Sequence, residues 1–206
     1  MMEFVTLNNG VKMPLEGFGV FQVPDPAVCE QAVLDAIATG YRLVDTAAAY
    51  MNEQAVGAAI QKCGVPREEL FITTKLWVQD TGYDNTLKAF ETSRKNLGLD
   101  YIDLYLIHQP FGDYYGAWRA MEKLYASGAV RAIGVSNFSA ERLVDLCMNQ
   151  KVKPMVNQIE LHPFYQQAEA LKVMALYGVV PQAWGPLAEA QKHIFEQKTL
   201  VKIAAS

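Results

Sequence analysis

The chain has 206 residues, 51% of them hydrophobic, which suits one domain, residues 1–206, with an ordinary packed core. Its 18 basic and 22 acidic side chains give a net charge of -4 without any basic run, which argues against nucleic acid or an anionic membrane as the main partner and favours a small molecule. The N-terminal stretch "MMEFVTLNNG" lacks signal-peptide features and no apolar run is long enough to span a membrane, so a cytoplasmic location is expected.

The first predicted element is a β-hairpin, because "FVTL" and "VKMPL" flank the turn sequence "NNG". Seven apolar, strand-like runs follow: GFGV (17–20), YRLV (41–44), LFITT (70–74), IDLYLI (102–107), VRAIGV (130–135), PMVNQI (154–159) and GVVPQA (178–183). Such continuously apolar runs are typical of parallel strands that are covered on both faces.

Segments whose apolar residues have helical spacing lie between these runs. One helix is predicted to start at Asp25-Pro26, to share an apolar face that includes Cys29, Val33 and Ile37, and to stop at Gly40. Others are predicted before Gly98 and after a Ser139 cap. The resulting βα repeat of about 30 residues predicts an α/β fold.

The cysteines are three in number, Cys29, Cys63 and Cys147, and lie far apart at apparent core positions of predicted helices. This pattern favours buried free thiols in a reducing compartment.

Two α/β architectures compete, the open doubly wound sheet and the closed (β/α)8 barrel. The Rossmann signal is weak, because "GFGVFQ" offers Gly17 and Gly19 but has Gln22 at the third glycine position. A barrel instead predicts functional side chains where successive strands end. Such residues do follow the apolar runs: Asp45, Lys75, His108, Ser136, Asn137, Gln158 and Trp184.

Asp45 and Lys75 end neighbouring strands and are expected to form an ion pair. Such a pair on its own is as consistent with a structural salt bridge as with a functional site. Tyr50 lies in the loop above the same mouth, where a nearby cation is expected to lower its phenol pKa from about 10. A neutral His108 on the next strand can donate to an oxygen above Tyr50, whereas His162 is interpreted as a structural histidine. No metal site and no serine-nucleophile motif is recognised.

Six motifs occur in order at the spacing of a known family: "DTAAAYMNE", "ITTKLW", "LDYIDLYLIHQP", "AIGVSNF", "NQIELHP" and "WGPLAE". On these motifs the whole sequence from "VTLNNG" onward resembles the aldo-keto reductases, in the bacterial branch of 2,5-diketo-gluconate and methylglyoxal reductases. The resemblance implies a (β/α)8 TIM-type barrel closed at its bottom by the N-terminal hairpin, with NADPH bound across its mouth.

The resemblance also implies roles for individual residues. The family's catalytic tetrad falls on Asp45, Tyr50, Lys75 and His108, with Tyr50 as proton donor to an aldehyde or ketone that accepts hydride from the nicotinamide. The implied contacts to the cofactor are Ser136, Asn137, Gln158, Trp184, Gly185, Pro186 and Leu187, with Gly185 in place of a common serine. The implied substrate pocket consists of Phe21, Trp77 and Phe111.

The sequence departs from the family pattern after "WGPLAEAQKHIFEQKTLVKIAAS", where the family continues into an eighth strand and a tail. We therefore expect an incomplete barrel of about seven βα units, without the segment that contacts the 2'-phosphate of NADPH. The family implies a monomer, but open barrel edges could allow self-association.

Two alternatives to a reductase stay open at this point. One is a catalytically impaired fragment or a non-enzymatic binding protein of the same fold. The other is a barrel isomerase or aldolase that uses Lys75 as a Schiff base, which pairing with Asp45 disfavours because it keeps the amine charged.

Overall fold

The computed structural model of the protein describes residues 2–206. Its first element is the predicted hairpin, in which β1 (Phe4–Thr6) pairs antiparallel with β2 (Lys12–Pro14). The Asn8 side chain donates to the carbonyls of Pro154 and Gly178, just before the last two strands begin. The hairpin therefore closes the end of the sheet at which the parallel strands start, as predicted.

Seven parallel strands form one sheet in sequence order. Their bounds are β3 (Gly17–Gly19), β4 (Leu43–Asp45), β5 (Phe71–Leu76), β6 (Ile102–Ile107), β7 (Val130–Ser136), β8 (Val156–Glu160) and β9 (Val180–Trp184). Each predicted apolar run overlaps one of these strands, so the predicted strand count and order are confirmed.

Helices alternate with these strands. Their bounds are α1 (Pro26–Ala38), α2 (Glu53–Lys62), α3 (Tyr83–Leu97), α4 (Tyr114–Ala126), α5 (Ala140–Asn149), α6 (Ala168–Tyr177) and α7 (Lys198–Ala204). Within residues 2–206, no helix combines the length and the apolar character that crossing a membrane requires. The regular alternation confirms the predicted βα repeat.

The ends of the helices follow local sequence signals. Asp25 caps α1 by accepting a hydrogen bond from the Val28 amide, and Pro26 occupies the first turn, where its missing N–H costs nothing. Gly98 ends α3 with a φ of 65°, a conformation that glycine adopts without a side-chain clash. Ser139 precedes α5 as predicted, but its side chain makes no capping hydrogen bond there.

The sheet curls into an incomplete (β/α)8 barrel. Gln158 on β8 reaches Asp45 on β4 across the mouth, with Nε2 2.8 Å from Oδ2, although three strands separate β4 from β8 in the sheet. The central strands β5 and β6 are buried along their whole length. The large buried side chains of this region are Tyr105 on β6, Phe90 on α3 and Trp118 on α4. The barrel mouth is thus supported by a continuous core.

Two expectations about burial are wrong. The strands β3 and β9, which lie at the two edges of the sheet, are partly exposed rather than covered on both faces. Cys63 is half-buried at the C-terminal cap of α2 rather than in the core, whereas Cys29 and Cys147 are buried as predicted. All three thiols are free.

Candidate active site

Four predicted side chains meet at the carboxyl ends of β4, β5 and β6. Lys75 Nζ donates to Asp45 Oδ1 at 2.5 Å, to the Thr46 carbonyl at 3.0 Å and to Tyr50 Oη at 3.4 Å. The His108 ring lies edge-on to the Tyr50 ring, with 5.6 Å between centroids. The structure therefore brings Asp45, Tyr50, Lys75 and His108 together in one cluster at the barrel mouth.

The Lys75 ammonium is fully buried, so its charge depends on these partners. A buried ammonium loses the solvation of water, and three oxygens replace it here. Because Asp45 supplies the compensating charge, Lys75 acts as a fixed cation and not as a free amine. This geometry disfavours the alternative in which Lys75 attacks a carbonyl as a nucleophile.

Tyr50 is held at the end of a short 3-10 turn, Ala48–Tyr50, which Met51 terminates with a φ of 61°. Two hydrogen bonds of Asn52, which follows the turn, hold this segment in place. Thr46 Oγ1 donates to Asn52 Oδ1 at 2.7 Å, and Asn52 Nδ2 donates to the Val20 carbonyl at 2.9 Å. Asn52 therefore connects the loop that carries Tyr50 to the loop that follows β3. Nothing in the spacing of "DTAAAYMNE" indicates this role of Asn52.

The expected lowering of the Tyr50 pKa is wrong in its net direction. Burial raises the pKa of the Tyr50 phenol above 10; the charge and hydrogen bond of Lys75 pull it down, and the Asp45 carboxylate pushes it up. The prediction counted the cation but not the loss of solvent or the anion behind the cation. Tyr50 consequently holds its proton at neutral pH.

His108 is neutral in the folded protein. Burial, and secondarily the charge of Lys75, lower the pKa of His108 from 6.5 to about 3. Its Nδ1 atom is buried without a hydrogen-bond partner. We assign the proton to Nε2, because a buried N–H without an acceptor is costlier than an unpaired lone pair. The Nε2–H is then free to donate into the mouth.

The residues predicted to contact a cofactor form a connected group beside these four. Ser136 Oγ donates to the Gln158 carbonyl at 2.9 Å, and Asn137 Nδ2 donates to the His108 carbonyl at 3.0 Å and to Ser136 Oγ at 3.1 Å. Trp184 Nε1 donates to Asn137 Oδ1 at 2.8 Å. Asn137 thus uses both amide hydrogens inside the chain while it orients the Trp184 indole.

The remaining predicted residues lie on the rim of the mouth. Gly185, with a φ of 59°, lines a cleft of about 230 Å³ beside Trp184 that does not include Tyr50. Pro186 and Leu187 are exposed next to this cleft.

Two of the three aromatic residues predicted to form the substrate pocket contact the rings of Tyr50 or His108, and the third does not. The Phe21 and Tyr50 ring centroids are 5.0 Å apart, and those of Trp77 and His108 are also 5.0 Å apart. Phe111 is 59% exposed at the rim and has no such ring contact with them.

Other predicted features also have a place in the structure. His162 is buried and satisfied as interpreted, since Nδ1 accepts from the Phe164 amide and Nε2 lies 3.1 Å from Glu160 Oε1. Among residues 2–206 no cluster of three or more His, Cys, Asp or Glu side chains could hold a metal ion.

Comparison with known proteins identifies the family. Residues 17–194 match the model of the aldo/keto reductase family. The chain is 48% identical over 205 residues to glyoxal reductase of Bacillus subtilis (strain 168), covering 99% of this chain and 74% of that protein.

Solved structures agree with this match. A crystal structure of an aldo/keto reductase from Brucella melitensis superposes with a TM-score of 0.93 at 43% identity, over 100% of this chain and 79% of that one. A Bombyx mori aldo-keto reductase in complex with NADP gives a TM-score of 0.85 at 38% identity, over 89% of this chain and 66% of that one. The chain therefore belongs to the aldo/keto reductase family of NAD(P)H-dependent oxidoreductases.

Proposed function

We propose that the protein reduces aldehydes and ketones to alcohols with NADPH, and that Tyr50 donates the proton. One observation carries the proposal: the Tyr50 hydroxyl lies 3.4 Å from a buried ammonium that is itself held by a carboxylate. A reduction of this kind leaves negative charge on the former carbonyl oxygen, and a proton donor backed by a fixed cation stabilises that charge.

The residues beside the tetrad fit a nicotinamide. Gln158 Oε1 accepts no hydrogen bond from residues 2–206 and is available to the N–H of a carboxamide. The Trp184 indole is fixed through its Nε1–H and can present a flat face to the ring. Ser136 and Asn137 use their donors within the chain, so we assign them mainly the positioning of His108 and Trp184. The NADP in the Bombyx mori structure supports this choice of cofactor.

The steps of the reaction follow from the protonation states. When bound, the reduced cofactor supplies the hydride for the carbonyl carbon. His108 Nε2–H donates to the carbonyl oxygen and holds it near Tyr50, and because the pKa of His108 is lowered to about 3 it does so as a neutral imidazole. Tyr50 transfers its proton to that oxygen, and Lys75 stabilises the phenolate that remains. Asp45 keeps Lys75 in place throughout.

The rim indicates the substrate class. Phe21 and Trp77 place apolar ring surface beside Tyr50 and His108, which suits the substituents of small aldehydes and ketones. The similarity to a glyoxal reductase supports glyoxal and methylglyoxal as first test substrates.

The first experiment measures glyoxal-dependent oxidation of NADPH by the chain and by Tyr50→Phe. We expect the variant to lose turnover by at least about 100-fold, since general-acid catalysis contributes about 10²–10⁴. NADPH binding, followed by fluorescence titration, should change little.

Tyr105→Phe is the matched control for Tyr50→Phe. Tyr105 is also buried, but its hydroxyl has no hydrogen-bond partner and its ring packs against Phe90 beneath α3. Tyr105→Phe should retain wild-type turnover. A Tyr50→Phe variant that keeps most of its activity contradicts the assigned role, and a folded wild-type chain that binds no NADPH favours the non-enzymatic alternative.

A further inference from the structure

The Asp45 carboxylate is held from two sides of the barrel mouth. Its Oδ1 accepts from Lys75 on β5, whereas its Oδ2 accepts from the Gln158 side chain on β8, at 2.8 Å. Carboxylates accept stronger hydrogen bonds than neutral groups do, so this second bond contributes to where the carboxylate lies and to how its charge is distributed.

The Gln158 amide has a different environment at each end. Its Nε2 is engaged with Asp45, while Oε1 accepts nothing from residues 2–206. The backbone of Gln158 is fixed as well, because its carbonyl accepts from Ser136 Oγ and from the Asn137 amide, both at 2.9 Å. With 5% of its surface exposed, the side chain has little freedom to leave this position.

The charged and titratable groups around the Tyr50 phenol are few. Lys75 from β5 lowers its pKa, Asp45 from β4 raises it, and His108 after β6 is neutral. A donor hydrogen bonded to Asp45 withdraws negative charge from the anion that opposes phenolate formation. Gln158 can therefore act on Tyr50 without touching it.

We propose that Gln158 is a positioning residue of the proton-donating group, linking the nicotinamide site to Tyr50 through Asp45 and Lys75. One amide then serves two partners, with Oε1 accepting from the carboxamide of the cofactor and Nε2 donating to Asp45. The inference rests on the proposed function for its catalytic meaning, but the bond to Asp45 can be tested without any cofactor.

The first test uses the cofactor-free 206-residue chain and follows the titration of Tyr50 by NMR of labelled tyrosine, with Tyr50→Phe to assign the signal. In Gln158→Leu the donor to Asp45 is gone, and we expect the pKa of Tyr50 to rise above its wild-type value. Gln182→Leu is the control. Gln182 pairs directly with Gln158 on the next strand but makes no hydrogen bond to Asp45, so the Tyr50 signal should titrate as in wild type.

The second test uses Gln158→Glu, which keeps an acceptor for the carboxamide and replaces the donor to Asp45. Two carboxylates that share a site raise the pKa of one of them, and the introduced carboxyl group, once protonated, regains an O–H donor to Asp45. We expect glyoxal reduction to fall at least about tenfold at pH 8, which corresponds to about 1.4 kcal/mol of lost stabilisation, and to recover as the pH falls to 6. Gln182→Glu should show no such recovery.

The outcomes separate the two proposals. If wild type reduces no carbonyl compound but Gln158→Leu still shifts the Tyr50 titration, the proposed function fails and the link through Asp45 stands. If the Tyr50 titration in Gln158→Leu matches wild type and Gln158→Glu keeps the wild-type pH dependence, Gln158 serves the cofactor alone and the inference is overturned.

Discussion

Replacing Lys75 with methionine removes the cation next to Tyr50, the proposed proton donor, and preserves most of the side-chain volume. At the 3.4 Å between Lys75 Nζ and Tyr50 Oη, and with an effective dielectric constant of about 20, the Coulomb attraction for a phenolate is about 5 kcal/mol. A transition state in which the phenol oxygen carries about half a charge loses about 2.4 kcal/mol of this attraction. We therefore expect kcat for glyoxal to fall about 60-fold at pH 7.

The same substitution leaves the Asp45 carboxylate without its cation, with Gln158 as its remaining side-chain donor. Removing one partner of a buried ion pair costs about 3–5 kcal/mol of folding free energy, so activity should be measured well below the melting temperature of the variant. The control is Asp45→Asn combined with Lys75→Met, which removes both charges and should recover much of the stability but not the activity. Turnover within about fivefold of wild type in a folded Lys75→Met variant would refute the proposed role of Lys75 in stabilising the phenolate.

Two further predictions concern stability. Because the pKa of His108 is lowered to about 3 in the folded state, unfolded chains bind a proton between pH 6.5 and pH 3 that folded chains do not, so stability falls as the pH drops through this window. Relative to pH 7, the free energy of unfolding of the wild type should be about 2 kcal/mol lower at pH 5 because of His108. Denaturant titrations of His108→Gln should not show this decrease. The control His193→Gln, at an exposed site, should still show it. Gly134→Ala places a Cβ 2.6 Å from the Val156 carbonyl oxygen in the barrel wall and should lower the free energy of unfolding by about 1–3 kcal/mol. In the control Gly19→Ala, the added Cβ meets nothing within 4 Å. Equal melting temperatures for the two variants would contradict this packing.

The positions of the candidate site residues could be predicted because of a simple property of parallel sheets. The carboxyl ends of successive parallel strands meet at one face, so the residue types after each apolar run already placed Asp45, Lys75 and His108 at a common mouth. The Tyr50 loop follows one of these strands directly, and its proximity was predictable for the same reason. Local turn and cap signals likewise predicted the hairpin and the start of α1.

Contacts across the mouth could not be predicted in the same way. Gln158 and Asp45 are separated by 113 positions in sequence and three strands in the sheet, and only the curvature of the sheet decides that their side chains meet. The bond between Trp184 and Asn137 depends in addition on a left-handed backbone at Asn137, with a φ of 61°. Neither feature has a spacing signal in the sequence.

The expected lowering of the Tyr50 pKa is wrong for a physical reason that also bears on proton donation by Tyr50. Counting charges along the sequence identifies Lys75 as a neighbour, but the net pKa depends on how much water the fold removes and on how near the Asp45 carboxylate remains. In the proposed reaction, burial keeps the phenol protonated until substrate arrives, whereas the cation acts mainly once negative charge develops on the phenol oxygen. A tyrosine with a raised pKa beside a fixed ammonium is therefore better suited to donate a proton during hydride transfer than one that is already ionised at neutral pH, because an ionised phenol has no proton to give.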